Sequence, residues 1–126
     1  MAQRKTSQRQ AVQQAFEDAG RPLSVAEVYE LAQNEVASIG TATVYRAVNA
    51  MVEEGGLVAV QIPGEPDRYE LAGLAHHHHF HCTGCGKVFD VEGCPGAMKN
   101  LCPPGFKLTG HEVMLYGHCD ECASAA

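Results

Sequence analysis

Apolar residues recur at helical spacing three times in the first half of the chain. Val12, Ala15, Phe16 and Ala19 follow one another at three- and four-residue intervals. Ser7 and Gln10 before them have capping-box spacing, and Gly20 is placed to stop a helix. Ser24 and Glu27 form a second capping box, followed by Val28, Leu31 and Ala32. Val44, Ala47, Val48, Met51 and Val52 make the third stripe. Thr41 is placed to cap that helix, and Gly55 with Gly56 to end it. The pattern then changes. Residues 57–62 are rich in β-branched side chains, residues 63–67 read Pro-Gly-Glu-Pro-Asp, and Arg68-Tyr-Glu-Leu71 follows. Two short strands around a Gly/Pro turn predict a hairpin. Three helices and a hairpin within residues 1–72 suggest a winged helix-turn-helix.

The third helix has a second stripe. Ala42, Tyr45, Arg46 and Asn49 lie at i, i+3, i+4 and i+7, opposite the apolar face. A recognition helix needs small residues near its start and donors that reach base edges and phosphates. Ala42, Thr43, Tyr45, Arg46 and Asn49 fit that need. An ordinary solvated helix face has the same look, so the stripe alone does not decide.

Composition sharpens the division of the chain. It has 126 residues, enough for one mid-sized domain or two small ones. No apolar run approaches a membrane span, and residues 1–10 carry no apolar signal segment. Both facts lead us to expect a cytoplasmic protein, where cysteines serve as metal ligands or reactive thiols rather than as a disulfide framework. All six Cys and all seven His fall after residue 72. That shift places a boundary near Gly73, between a DNA-binding domain of residues 1–72 and a metal-binding domain of residues 73–126.

The net charge of −6 argues at first against a nucleic-acid partner. Its distribution argues otherwise. Arg4, Lys5 and Arg9 precede the first acidic residue, Glu17; Arg46 is on the candidate recognition face and Arg68 is near the hairpin. Phosphate contacts depend on cations at the contact surface, not on the sum over the chain.

Cys82-x-x-Cys85 and Cys119-x-x-Cys122 are two widely separated CxxC pairs. Each presents two thiolates on a tight turn, and two such turns complete a tetrahedral four-sulfur site, so Cys82, Cys85, Cys119 and Cys122 are assigned to structural zinc. Just upstream runs His76-His-His-His-Phe-His81. On a strand, His77 and His79 face one way and His76 and His78 the other, so the run can serve two metal sites. Asp90 falls on the next expected strand, and Glu70 ends the hairpin strand. Imidazole and carboxylate together suit Zn, Fe, Mn, Ni or Co and do not choose among them.

At this point the sequence resembles the ferric uptake regulator family of metal-responsive repressors. The resemblance is carried by Thr41-Ala-Thr-Val-Tyr-Arg46, Arg68-Tyr-Glu-Leu71, the His77-x-His79-x-x-Cys82-x-x-Cys85-Gly-Lys segment with Asp90, and Leu108-Thr-x-His111 with Tyr116-Gly-His-Cys119-x-x-Cys122. It implies an α+β fold, with an N-terminal winged helix-turn-helix and a C-terminal α/β dimerisation domain holding structural zinc. It implies a homodimer that binds a palindromic double-stranded operator when a regulatory ion, Zn(2+) or Fe(2+)/Mn(2+), occupies a hinge site. By matching position, Tyr45 and Arg46 are DNA contacts, joined by Arg4, Arg9, Thr43 and Asn49. Glu70, His77, His79 and Asp90 match the sensory site, and His76, His78 and His111 match an additional site.

Three departures bear on the metal. The segment Gly20–Ser24 before the second helix has no His to supply a further sensory ligand, which leaves Glu70 or Asp67 to serve. No Cys lies between the hairpin and the His run, where zinc-sensing relatives often have one. The carboxylate usual in the additional site is replaced near Cys94, and a thiolate there favours zinc. Cys94 and Cys102 read equally as plain buried thiols.

Zinc-responsive repression is the preferred reading. An iron- or manganese-responsive repressor, or a peroxide sensor that oxidises a ligand imidazole, shares the fold. A zinc hydrolase drafting His77, His79 and Glu112 lacks an HExxH motif, so we expect no enzyme. A zinc-ribbon interaction module without sensing is the remaining alternative.

Overall fold

A computed structural model describes the backbone of residues 2–94, 96 and 98–124, and side chains within that set from Thr6 onward. The chain divides into two compact units, Met1–Leu74 and Ala75–Ala126. The division falls two residues beyond the expected boundary at 72.

The first unit is a winged helix of three helices, α1 (Ala2–Ala19), α2 (Val25–Gln33) and α3 (Thr41–Glu53), followed by strands β1 (Leu57–Val60) and β2 (Arg68–Leu71). The strands pair antiparallel, with Leu57 opposite Leu71 and Val60 opposite Arg68. Leu23 extends this small sheet, exchanging both backbone hydrogen bonds with Tyr69 at 2.8 Å. The chain between α1 and α2 is thereby tied to the wing. Val12, Phe16, Leu23, Val28, Val44, Val48, Met51 and Leu57 are buried in one core built from all three helices and β1. This is the i, i+3, i+4 patterning made physical: each apolar stripe turns inward and removes its surface from water.

The helix ends correct two expectations. The second helix carries the full capping box, with Glu27 N–H donating to Ser24 Oγ at 3.1 Å and Ser24 N–H donating to Glu27 Oε1 at 3.0 Å. The first helix does not begin at Ser7. It runs back to Ala2, because Gln, Arg and Lys before Ser7 are good helix formers and nothing there breaks the turn. Thr41 is not a cap but the first residue of α3; Gly40 is the N-cap and offers no side-chain bond. At the other ends Gly20 and Gly55 adopt φ of 61° and 83°, left-handed geometry that glycine takes without a Cβ penalty.

The second unit has a three-stranded sheet in the order β4-β3-β5, from β3 (His78–Cys82), β4 (Val88–Val91) and β5 (Met114–Gly117). The central strand β3 pairs antiparallel with β4 and parallel with β5. A 3-10 turn at Met98–Leu101 and a short helix α4 (Asp120–Ser124) complete it. Strand β5 had no clear signal in the sequence. No helix among the described residues is long and apolar enough to cross a membrane.

Candidate metal centres

The four-cysteine group is assembled from two turns. The β3–β4 turn carries Cys82 and Cys85, and the chain running from β5 into α4 brings Cys119 and Cys122. All four Sγ atoms lie within 4.8 Å of one another, and Cys85 Sγ is 3.9 Å from Cys119 Sγ. Zinc–sulfur bonds of about 2.3 Å at tetrahedral angles require sulfur–sulfur edges of about 3.8 Å, whereas a disulfide would need about 2.05 Å. The cysteines are unbridged. Backbone N–H groups of Cys119 (3.3 Å) and Cys85 (3.4 Å) donate to Cys82 Sγ, and they draw its thiol down to about 5. Hydrogen bonds among the crowded sulfurs, with Cys82 and then Cys119, push Cys122 up to about 12. Four thiols so close ionise together only around a cation, which is the chemistry of a structural zinc ligand set. Gly84 is required here by space: a Cβ on it would lie 3.0 Å from Cys122 Sγ.

The His run forks as strand geometry demands. On one face, His77 and His79 stand edge to face with ring centroids 4.8 Å apart. Their Nε2 atoms lie 3.3 and 3.5 Å from the same oxygen of Asp90, which sits opposite His79 on β4. His77 Nδ1 is 2.8 Å from the carbonyl oxygen of Ala75. Donating there fixes the ring and leaves Nε2 its lone pair, the usual arrangement behind a metal-binding histidine. Glu70, the remaining sensory candidate, belongs to the other unit, on β2, where it is buried.

On the opposite face are His76, His78 and His111. His76 Nε2 is 3.2 Å from His111 Nε2, and Cys94 Sγ is 3.1 Å from that same nitrogen. One ligand atom from each of the four lies within 4.8 Å of the others. Cys94 is exposed, which removes the reading of it as a buried thiol. His78 is 3% exposed, and burial, followed by the adjacent His76 and His111, lowers its pKa. Cys102, half-buried, joins none of these groups.

The DNA-contact candidates are distributed less evenly. Ala42, Tyr45, Arg46 and Asn49 are exposed along α3, and Arg46 donates to Thr43 Oγ1 at 3.2 Å. Arg9 is exposed on α1 but is ion-paired with Glu54. Arg4 lies in α1 with its side chain outside the described residues. Arg68 is not a surface cation. It is 6% exposed and held by Glu65 and the carbonyl of Pro66, so it braces the wing from inside. Tyr45 also borders a cleft of about 280 Å³ with Ser24, Pro66, Asp67 and Tyr69.

A winged helix followed by a small α/β unit lined with metal-ligating side chains defines a recognisable class of chain. The protein belongs to the ferric uptake regulator family, whose model matches residues 1–116. It is 36% identical over 88 residues to the ferric uptake regulation protein of Campylobacter jejuni, an alignment covering 68% of this chain and 56% of that protein. The chain thus spans little more than half the length of the relatives it matches first. Among solved structures, it is similar to a zinc-bound manganese uptake regulator, with a TM-score of 0.76 at 26% identity over 89% of this chain and 87% of that one. The ferric uptake regulator of Helicobacter pylori, described as having three functional metal-binding sites, matches with a TM-score of 0.69 at 25% identity, over 92% and 79% of the two chains.

Proposed function

We propose that the chain is a metal-dependent, DNA-binding transcriptional repressor of metal homeostasis, acting in the cytoplasm as a homodimer and not as an enzyme. The observation that carries this reading is one pairing. A winged helix whose third helix exposes Tyr45, Arg46 and Asn49 is joined to a unit in which His77, His79 and Asp90 converge. Tyr45, Arg46, Asn49 and Thr43 contact base edges and phosphates, with Arg4 and Arg9 adding phosphate contacts once Arg9 exchanges Glu54 for DNA. Glu70, His77, His79 and Asp90 form the sensory site. Because Glu70 comes from the N-terminal unit, these ligands bind best in one arrangement of the two units. An ion bound there supplies the differential affinity that shifts the population toward the DNA-binding form. We take that ion to be Zn(2+), with Fe(2+) and Mn(2+) as its competitors. Cys82, Cys85, Cys119 and Cys122 hold structural zinc.

The dimer reading rests on the C-terminal unit. Strand β5 is a sheet edge and exposes Leu115 and Tyr116, and Phe106 nearby in sequence is 71% exposed. Such an apolar edge calls for a partner, and a second copy of this chain supplies a matching one. Two recognition helices related by a two-fold axis then read a palindrome in successive major grooves.

A gel-shift titration of the zinc-reconstituted protein with Zn, Fe(II), Mn and Ni tests the reading. One ion should induce binding to a palindromic operator, and His77→Ala with His79→Ala should abolish that induction. Unchanged metal dependence in the double variant would overturn it.

A further inference from the structure

Positive charge in the first unit is largely committed to carboxylates. Residues 6–74 hold ten Asp and Glu against four Arg and no Lys. Three of those arginines are ion-paired: Arg9 with Glu54, Arg21 with Glu27 at 2.7 Å, and Arg68 with Glu65 at 3.2 Å. Arg46 donates instead to the neutral hydroxyl of Thr43. The Arg21 and Arg68 pairs lie partly inside the fold, where they brace the start of α2 and the wing. The Arg9 pair is different. Its side chains are 47% and 55% exposed, and pairs so exposed add little to stability. Glu54 is also the C-cap of α3, where a carboxylate meets the negative end of the helix dipole. Stability therefore does not explain the pair. Availability does. Arg9 Nη1 donates to Glu54 Oε1 at 3.2 Å and Nη2 donates to Oε2, a two-pronged fork. A DNA phosphate takes the same fork with two of its oxygens. Glu54 occupies the donors that a phosphate would need.

We propose that Glu54 is an affinity-setting residue for DNA: it holds the Arg9 fork in place of a phosphate, so that DNA gains this contact only by displacing a carboxylate. The inference rests on the reading of the chain as a DNA-binding repressor. Exchanging one anion for another gains little, and it leaves the Glu54 charge unpaired beside a polyanion. Random DNA lacks the base contacts that hold an operator against α3. Among the described arginines, only Arg46 is then open to its phosphates without the breaking of an ion pair. Weak phosphate binding suits a switch of this kind. A regulatory ion can shift the equilibrium only by its differential affinity, and a low starting affinity keeps the ion-free form off DNA.

The test is a salt titration. A random-sequence duplex is bound to full-length protein carrying structural zinc but no regulatory ion, and fluorescence anisotropy is read at several potassium chloride concentrations. Glu54→Gln keeps the shape and removes the charge, and it should raise affinity several-fold at low salt. It should also steepen the log–log salt dependence by about 0.9, the counterion release of one added phosphate contact. Glu53→Gln is the control. It makes the same charge change one residue away, on an exposed side chain with no ion pair among the described residues, and should leave the slope unchanged. In an Arg9→Ala background, Glu54→Gln should add no more than Glu53→Gln does. Equal effects of the two glutamine variants, or an excess effect of Glu54→Gln that survives Arg9→Ala, would overturn the proposal. Metal-induced operator binding by the wild type separates the two levels. Its absence strikes the DNA-binding reading, whereas its presence beside equal variants strikes the role of Glu54 alone. Both glutamates are exposed and outside the core, and a salt slope does not report folding.

Discussion

The two units of this chain are held together in different ways. Among the described residues, sixteen buried apolar side chains, Pro22 included, lie in the first unit and only two, Cys82 and Val88, in the second. The first unit can therefore stand on a hydrophobic core. The second is small and nearly coreless, and units of that kind need a staple. On the proposed reading zinc supplies one, held by the four cysteines that the β3–β4 turn and the chain after β5 bring together. On that reading, the difference teaches that metal has two separable duties, fastening one unit and switching DNA binding.

The sharpest way to break the comparison is to remove the staple. Cys119→Ala, or prolonged chelation of the wild type, should unfold the second unit, since structural zinc is worth on the order of 10 kcal/mol. Amide exchange should show lost protection after Ala75 and little change in α1–α3. A variant retaining full protection in both units would show that the sulfurs are dispensable. Next in size is Met51→Ala, which opens the core of the first unit and should cost about 2–5 kcal/mol in urea denaturation. Its effect should stay within residues 1–74. Smaller again is Ser24→Ala. It removes the side-chain half of the α2 capping box and should cost about 1 kcal/mol, read as a lower urea midpoint without a changed slope.

The smallest effect is one of pH. Burial raises the Glu27 carboxyl, but hydrogen bonds from Arg21 and Ser24 outweigh it and leave the carboxyl below its ordinary value of 4.5. A lowered folded-state value means the unfolded chain binds the proton first. The stability from Glu27 is thus present above that ordinary value and is lost as pH falls through the lowered one. Glu27→Gln should flatten the acid limb of the first unit's stability curve. An acid limb identical to that of the wild type would assign the effect elsewhere.

Much of the first unit was legible because its signals are local. Ser24 with Glu27, Gly20, Gly55 and the three apolar stripes each act within a turn or two of helix. The misreadings have physical causes. Ser7 looks like a cap, but capping requires the helix to start there, and the preceding polar residues sustain it instead. Thr41 was displaced by Gly40 because the chain enters the helix one residue earlier. Arg68 reads as a surface charge, and only the tertiary fold shows Glu65 and the Pro66 carbonyl drawing it inside. The Leu23–Tyr69 bridge had no signal, since Arg-Pro-Leu has no strand pattern and its partner is distant in sequence.

The second unit was legible mainly through its chemistry. CxxC spacing and alternation in the His run pointed to the side-chain groups that the fold brings together, because two-residue strand periodicity sorts side chains without knowledge of the fold. Strand β5 was missed because Met-Leu-Tyr-Gly is short and its parallel pairing with β3 is non-local. The approach of Cys94 to His111 likewise depends on a loop, so residue spacing could suggest the pair but not its geometry.

Strand β3 has one more consequence. It acts as a partition whose reading frame sets which histidines look left and which look right. Deleting one of residues 76–79 would leave His in the register positions of 77, 78 and 79 and bring Ala75 to that of 76. The carboxylate face would keep both of its imidazoles, and the opposite face would lose one. Length in this short run thus decides how many imidazoles reach each face.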